Sequence, residues 1–160
     1  MTVDSSEFRT VIGHFATGVT VITAAADGHL HGMTANAFTS LSLDPVMVLV
    51  CIDKTTHAHR IVSAGRAFAV NVLGEDQEEV SRVFARKGEP EPGTLRGHGF
   101  RIGRTGAPVL DDCLAYLECE VADVLDGGDH SIFLGRVVDE AVVREVKPLL
   151  FYRGGYHSLD

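Results

Sequence analysis

Thr34, Asn36, Thr39, Ser40 and Ser42 place four hydroxyls and an amide within one short stretch. Gly32, Ala35 and Ala37 stand among them, and their small side chains leave main-chain N–H groups open to the edge of a flat polar ligand. A Ser/Thr-rich loop capping a strand uses the same residue types. The stretch runs through Leu43-Asp44-Pro45 into the apolar run Val46 to Ile52.

Just beyond, Asp53-Lys54-Thr55-Thr56-His57 reads as a strand end entering a helix N-terminus, where free N–H groups, two hydroxyls and an ammonium suit an anion. A plain helix cap with a solvated lysine fits the same residues. Arg86-Lys87 offers a second phosphate contact, or cations that stabilise a helix C-terminus. Gly128-Asp129-His130 sets an imidazole at a strand start, either as a polar turn residue or as a group that orients a substrate at a pocket mouth.

Other chemistries lack their residues. No GxGxxG follows a strand and no GxxxxGK[ST] occurs, so neither a Rossmann domain nor a P-loop is expected. His29/His31 share a strand face and His57/His59 diverge on a helix, without a third ligand at diagnostic spacing, so no metal site is expected. There is no GxSxG elbow, and Cys51 near His57 sits in an apolar strand that disfavours a thiolate. A net charge of −8 argues against nucleic acid as a partner. The three cysteines form no CxxC pair and read as reduced thiols. Met1 to Glu7 lacks an apolar signal core, and no window is long and apolar enough for a membrane span, so a cytoplasmic location is expected.

The elements that must position these residues follow from periodicity. Phe8, Val11, Ile12 and Phe15 mark an amphipathic helix ending near Gly18, and Val19 to Ala25 a strand that turns at Asp27-Gly28. The run 46–52, apolar at nearly every position, reads as a strand covered on both faces. A helix is expected over 55–65, closed by Gly65, then a strand over 68–73 and a helix over 75–86. Residues 87–108 read as a long surface loop. Odd positions of 115–121 are apolar and even ones mostly polar, the mark of a half-buried strand, which turns at 127–130 into a strand over 131–143. A short strand over 148–152 precedes a glycine-loosened tail. With about six or seven antiparallel strands and three short helices, the chain reads as a single-domain, mainly β, Greek-key-like barrel.

These motifs fall into one order. The chain resembles, over nearly its full length, the flavin reductase-like family: short-chain NAD(P)H:flavin oxidoreductases that supply reduced flavin to two-component monooxygenases. The residues that carry the resemblance begin with Phe15-Ala16-Thr17-Gly18-Val19-Thr20-Val21, Gly32-Met33-Thr34-Ala35-Asn36 and Ser40-Leu41-Ser42-Leu43-Asp44-Pro45. Phe68 to Leu73, Gly106-Ala107-Pro108, Leu117-Glu118-Cys119, Gly128-Asp129-His130 with Gly135-Arg136-Val137, and Pro148-Leu149 leading to Tyr156 complete them.

The resemblance implies an FMN-binding split β-barrel over residues 1–160, a homodimer with flavin near the subunit interface, and an oxygenase component as partner. It implies FMN or FAD, with NADH or NADPH as hydride source. Thr34, Ala35, Asn36, Ala37, Ser40 and Leu41 would line the isoalloxazine and ribityl chain, with Cys51 and Asp53 beside the ring and its tail. Lys54 and Thr56 would lie near the phosphate, with Arg86 or Lys87 closing over it. His130 would face the nicotinamide as the catalytic-site histidine, and Tyr156 would flank the flavin. Hydride transfer between two stacked rings needs no nucleophile or metal, in keeping with the residue types present. Two other readings stay open: a pyridoxamine-phosphate oxidase-like split barrel with tightly held FMN, and a flavin carrier or sensor without turnover.

Overall fold

In the computed structural model, which describes residues 1–160, β-branched and apolar runs pair with their chain neighbours as hairpins. The chain opens with α1 (Ser5–Ile12), β1 (Thr17–Gly18), β2 (Thr20–Ala26), β3 (His29–Ala35), β4 (Phe38–Leu43) and β5 (Val46–Asp53). It continues through α2 (His57–Gly65), β6 (Ala67–Val72), α3 (Glu78–Phe84), β7 (Phe100–Ile102) and β8 (Pro108–Leu110). Two long strands, β9 (Ala115–Gly127) and β10 (His130–Val142), precede β11 (Leu149–Tyr152) and β12 (Gly155–Ser158).

Seven strands form one antiparallel sheet in the order β3-β2-β6-β9-β10-β5-β4. Its two edge strands, β3 and β4, follow each other in the chain with only Asn36 and Ala37 between them. That connector spans at most about 11 Å, so the sheet must curl until its edges meet at this corner. No ladder joins β3 to β4, and the barrel stays split along that line.

The inside of the curl is filled by Ile22, Val48, Val50, Ile52, Phe68, Val70 and Phe133, with α2 contributing Ala58, Ile61 and Val62. A second cluster, Val19, Val21, Leu73, Phe84, Leu95, Leu110 and Leu149, packs α3 and the C-terminal strands on the other face of β2. Burial on both faces leaves Thr20 to Ala24 of β2 all buried, with the two threonine hydroxyls bonded to backbone carbonyls.

Turn chemistry matches the sequence at both expected hairpins. Asp27 and Gly28 both have positive φ, at 51° and 78°, as a type I′ turn requires. Gly128 takes a φ of 78° ahead of Asp129, the order of a type II′ turn.

Several expectations need correction. The first helix ends at Ile12, and Thr17 and Gly18 instead pair with Phe151 and Leu150 of β11. None of its residues is buried, so Phe8, Val11 and Ile12 face outward. The strand over 46–52 alternates: Val48, Val50 and Ile52 are buried, while Met47, Leu49 and Cys51 are half-buried on a face this chain does not cover. Gly65 is the last residue of α2, and Arg66 takes the left-handed cap at φ 58°. Gly65 is needed for another reason, since a Cβ there would stand 2.2 Å from the Ala25 carbonyl oxygen.

The expected loop over 87–108 contains β7, which with β8 makes a small two-stranded finger too short to show a period. Its turn rests on Glu118, whose fully buried carboxylate accepts from the Arg104 and Thr105 N–H groups at 3.2 Å each and from the Thr105 hydroxyl at 3.0 Å. Glu118 therefore breaks the alternation expected for its strand. The C-terminal glycines do not loosen a tail, because β12 pairs with β11 through a turn at Arg153 and Gly154.

Candidate functional site

The corner where the barrel splits separates two clefts. The first, about 470 Å³, is lined by β3 (His31, Met33, Thr34), by the entry to α2 (Thr55, Thr56, His57) and by the end of α3 (Phe84 to Gly88). The second, about 620 Å³, is lined by Phe15, Thr17, Asn36, Phe38, Leu49, Cys51 and Phe151 among others. Thr34 faces the first and Asn36 the second, two residues along one chain, so the clefts lie within about 7 Å of each other.

The first cleft is cationic. Arg86 and Lys87 stand on one wall, and no aspartate or glutamate lines it. The opposite wall is built by the cap of α2: the Thr56 hydroxyl accepts from the His59 N–H at 3.2 Å and donates to the Asp53 carbonyl at 2.8 Å. Asp53 folds the preceding turn by accepting from the Thr55 N–H at 2.8 Å and its hydroxyl at 2.7 Å, which hold its carboxyl below the usual carboxylate range. His31 is nearly buried, and its ring centroid lies 6.0 Å from that of His57. Burial, with His57, Arg96 and Arg60 nearby, pushes the His31 imidazole down to about 4.

The second cleft is largely apolar, with Arg9 its one charged lining residue. The Asn36 amide donates to the Thr17 hydroxyl at 3.2 Å, and the Ala37 carbonyl accepts from the Cys51 N–H at 3.0 Å. These two bonds fix the corner against β1 and β5. Cys51 is half-buried in this wall.

The structure thus brings Thr34, Thr56, Arg86 and Lys87 together in one cleft and Asn36, Ala37 and Cys51 in the other, with Ala35 between them. Ser40 and Leu41 lie on β4 at a register irregularity, exposed and outside both clefts. Lys54 turns away: its ammonium pairs with Asp126 on the β9–β10 hairpin, and its N–H donates to the Asp129 carbonyl at 3.0 Å. Tyr156 is a support, its hydroxyl 2.7 Å from Ser81 Oγ, while the Ser81 carbonyl accepts from the Thr34 hydroxyl at 2.6 Å. His130 opens β10 opposite Asp53, with Nδ1 2.7 Å from Asp129 Oδ1. Gly32 does not bare the backbone to a ligand, because Phe84 fills that space and a Cβ would stand 2.6 Å from its ring.

His31 and Phe84 were not singled out as site residues from sequence, nor were Phe15, Thr17, Phe38, Leu49 and Phe151. Thr55 and His57 carried a signal through the Asp53–His57 anion motif at the α2 cap.

Comparison with known proteins bears on the family and the fold. Residues 12–160 match the family described as flavin reductase like domain. A 4-nitrophenol 4-monooxygenase/4-nitrocatechol 2-monooxygenase reductase component from Rhodococcus opacus is 44% identical over 153 residues, covering 96% of this chain and 80% of that protein. The structure of flavin reductase PheA2 in its native state superposes with a TM-score of 0.88 at 42% identity, covering 99% of each chain. The Streptomyces globisporus NADH:FAD oxidoreductase SgcE6, solved with NAD and FAD fragments, gives 0.89 at 36% identity, covering 100% of this chain and 97% of that one. A family match that spares only the first few residues, supported by full-length identity to a reductase component, shows that this chain belongs to the flavin reductase-like family.

Proposed function

We propose that residues 1–160 form a single NAD(P)H:flavin oxidoreductase unit that passes reduced flavin to a partner oxygenase. The observation that carries this reading is the pairing of a largely apolar cleft with a cationic one on either side of the Asn36–Ala37 corner. A flavin nucleotide has that shape and polarity: a planar ring, a short polar chain and a phosphate. Bound flavin supplies the hydride acceptor, its N5 receiving hydride from the nicotinamide C4.

The chain's own residues then have separate tasks. Asn36, Ala37 and Cys51 wall the ring, and Thr34 and Ala35 follow the chain toward the phosphate. Ser40 and Leu41, exposed on β4 outside both clefts, do not touch the ring in this arrangement. Arg86 and Lys87 hold the phosphate by charge together with N–H groups at the start of α2, and Thr55 and Thr56 shape that wall, their hydroxyl protons already given to Asp53. Asp53 shapes the turn that presents Thr55 and Thr56. His130 orients the nicotinamide at the mouth between β5 and β10. Lys54 and Tyr156 act as supports, Lys54 by fixing the β9–β10 hairpin and Tyr156 by fixing Ser81 and thereby Thr34.

A second copy of the chain covers the open face of β5. Leu43 is 89% exposed and Phe15 72%, and with Val46 and Leu41 they leave an apolar surface next to the second cleft. A homodimer buries it and walls the ring on its open side. No helix is long and apolar enough to cross a membrane. We place the enzyme in the cytoplasm, where its three free thiols stay reduced.

The test is oxidation of NADH or NADPH, followed near about 340 nm, with FMN, FAD or riboflavin added in turn. Turnover that saturates with added flavin is the expected result and names both substrates. Flavin retained by the purified protein without turnover would overturn the reductase reading in favour of an oxidase-type barrel or a carrier.

A further inference from the structure

At the rim of the cationic cleft a carboxylate of the chain pairs with the cations of α2. Glu89 follows Gly88, the last residue of the cleft's α3 wall. It reaches across to α2, where Oε1 lies 2.7 Å from His57 Nδ1 and pairs with Arg60 Nη2. Arg60 Nη2 is itself 2.7 Å from the same His57 nitrogen. That nitrogen can donate to the carboxylate or accept from the guanidinium, but not both, so the three side chains have two alternative arrangements.

The backbone is built to present Glu89 to α2. Gly88 has a φ of 103°, open to glycine and strained for other residues. Its carbonyl accepts from Arg96 Nη2 at 2.7 Å, and the Arg86 carbonyl accepts from the same nitrogen at 3.5 Å. The rim from Arg86 to Glu89 is therefore tied down at one end by Arg96 and at the other by the Glu89 pair.

An anion in the cleft and the Glu89 carboxylate draw on the same positive field, from Arg60, Arg86, Lys87 and Arg96, and they repel each other. We propose that Glu89 is a tethered competitor for the flavin phosphate. It holds His57 and Arg60 when the cleft is free of phosphate and lowers the affinity of the cleft for flavin nucleotides. The inference rests on the phosphate reading of this cleft. A weakened hold on the phosphate suits an enzyme that must let reduced flavin go.

The test compares FMN with riboflavin, which lacks the phosphate, on the full chain by flavin fluorescence. It uses the parent, Glu89→Gln, and the double variant Arg86→Ala/Lys87→Ala. Glu89→Gln keeps shape and removes charge, and it should tighten FMN binding about three- to tenfold, slow FMN dissociation by a similar factor and leave riboflavin unchanged. Raising salt to about 0.5 M should shrink the difference. The double variant should weaken FMN and spare riboflavin. FMN affinity unchanged in Glu89→Gln but weakened in the double variant would overturn the role of Glu89 and leave the phosphate reading in place. FMN binding untouched in the double variant would overturn both. Equal tightening of FMN and riboflavin in Glu89→Gln would also overturn the competitor role, because the effect would not pass through the phosphate.

Discussion

Asp53 and His130 stand directly opposite each other where β5 and β10 meet, yet each is held by its own neighbour. Asp53 accepts from Thr55, and His130 Nδ1 lies against Asp129, so the imidazole keeps Nε2 without a hydrogen bond, outside the lining of both clefts. In the proposed reading that free nitrogen meets a nicotinamide carboxamide. His130→Ala should raise the KM for NADH about tenfold while the KM for flavin stays within about twofold. Steady-state kinetics with each substrate varied in turn would check this, and a rise confined to the flavin KM would move His130 to the other subsite.

The three cysteines should separate by reactivity. Burial pushes the Cys113 thiol up to about 11 and the Cys119 thiol up to about 12, and both side chains are sealed from solvent. Cys51 alone borders a cleft. Titration of the native protein with a disulfide reagent should modify Cys51 first, and saturating FMN should slow that reaction several-fold. The same rate with and without FMN would count against a ring seated beside Cys51.

Asn71 should matter for stability rather than for turnover. It is fully buried, donating to the Val21 carbonyl and the Thr23 hydroxyl at 2.9 Å each and accepting from the Leu110 N–H at 2.9 Å. It thereby ties β6 to β2 and β8. Asn71→Ala strands these partners without water and should cost about 2–4 kcal/mol, lowering Tm by about 5–10 °C. Denaturant unfolding would measure the loss.

Folding stability should fall in mild acid because of His31. Its imidazole is held at about 4 in the folded chain against 6.5 for the free group. The unfolded chain therefore binds the proton more readily between those values, so stability is full above about pH 6.5 and declines as pH falls toward 4. Between pH 8 and pH 5 the loss from this group is about 2 kcal/mol. His31→Gln should flatten the slope, and an unchanged slope would assign it to other groups.

Much of the barrel was legible because its signals are local. Asp27-Gly28 and Gly128-Asp129 announce hairpins through the φ values they permit, and β9 and β10 are long enough to show a period. What escaped depends on distant partners. Glu118 looked like an outward residue because nothing in its own strand reveals the finger that covers it. The outer stripe of α1 looked like a core face because periodicity reports an apolar side without saying what buries it. At the site, Thr56, Arg86 and Lys87 could be read from helix-end chemistry. His31 and Phe84 could not, since only the packing of α3 against β3 makes them neighbours of the cleft. Lys54 had the right chemistry in the right segment, and its direction was decided by Asp126, far along the chain.

The unzipped seam between β3 and β4 has a kinetic meaning. A closed barrel admits a ligand only through its ends, or by breaking ladder bonds that must reform afterwards. Here both clefts lie outside the packed interior, beside edge strands that never pair with each other. Loading and unloading therefore need no breathing of the sheet, and exchange can run as fast as the rim side chains let go. For a courier of reduced flavin, the missing row of hydrogen bonds decouples turnover from rigidity: the scaffold stays stiff while the cargo comes and goes sideways.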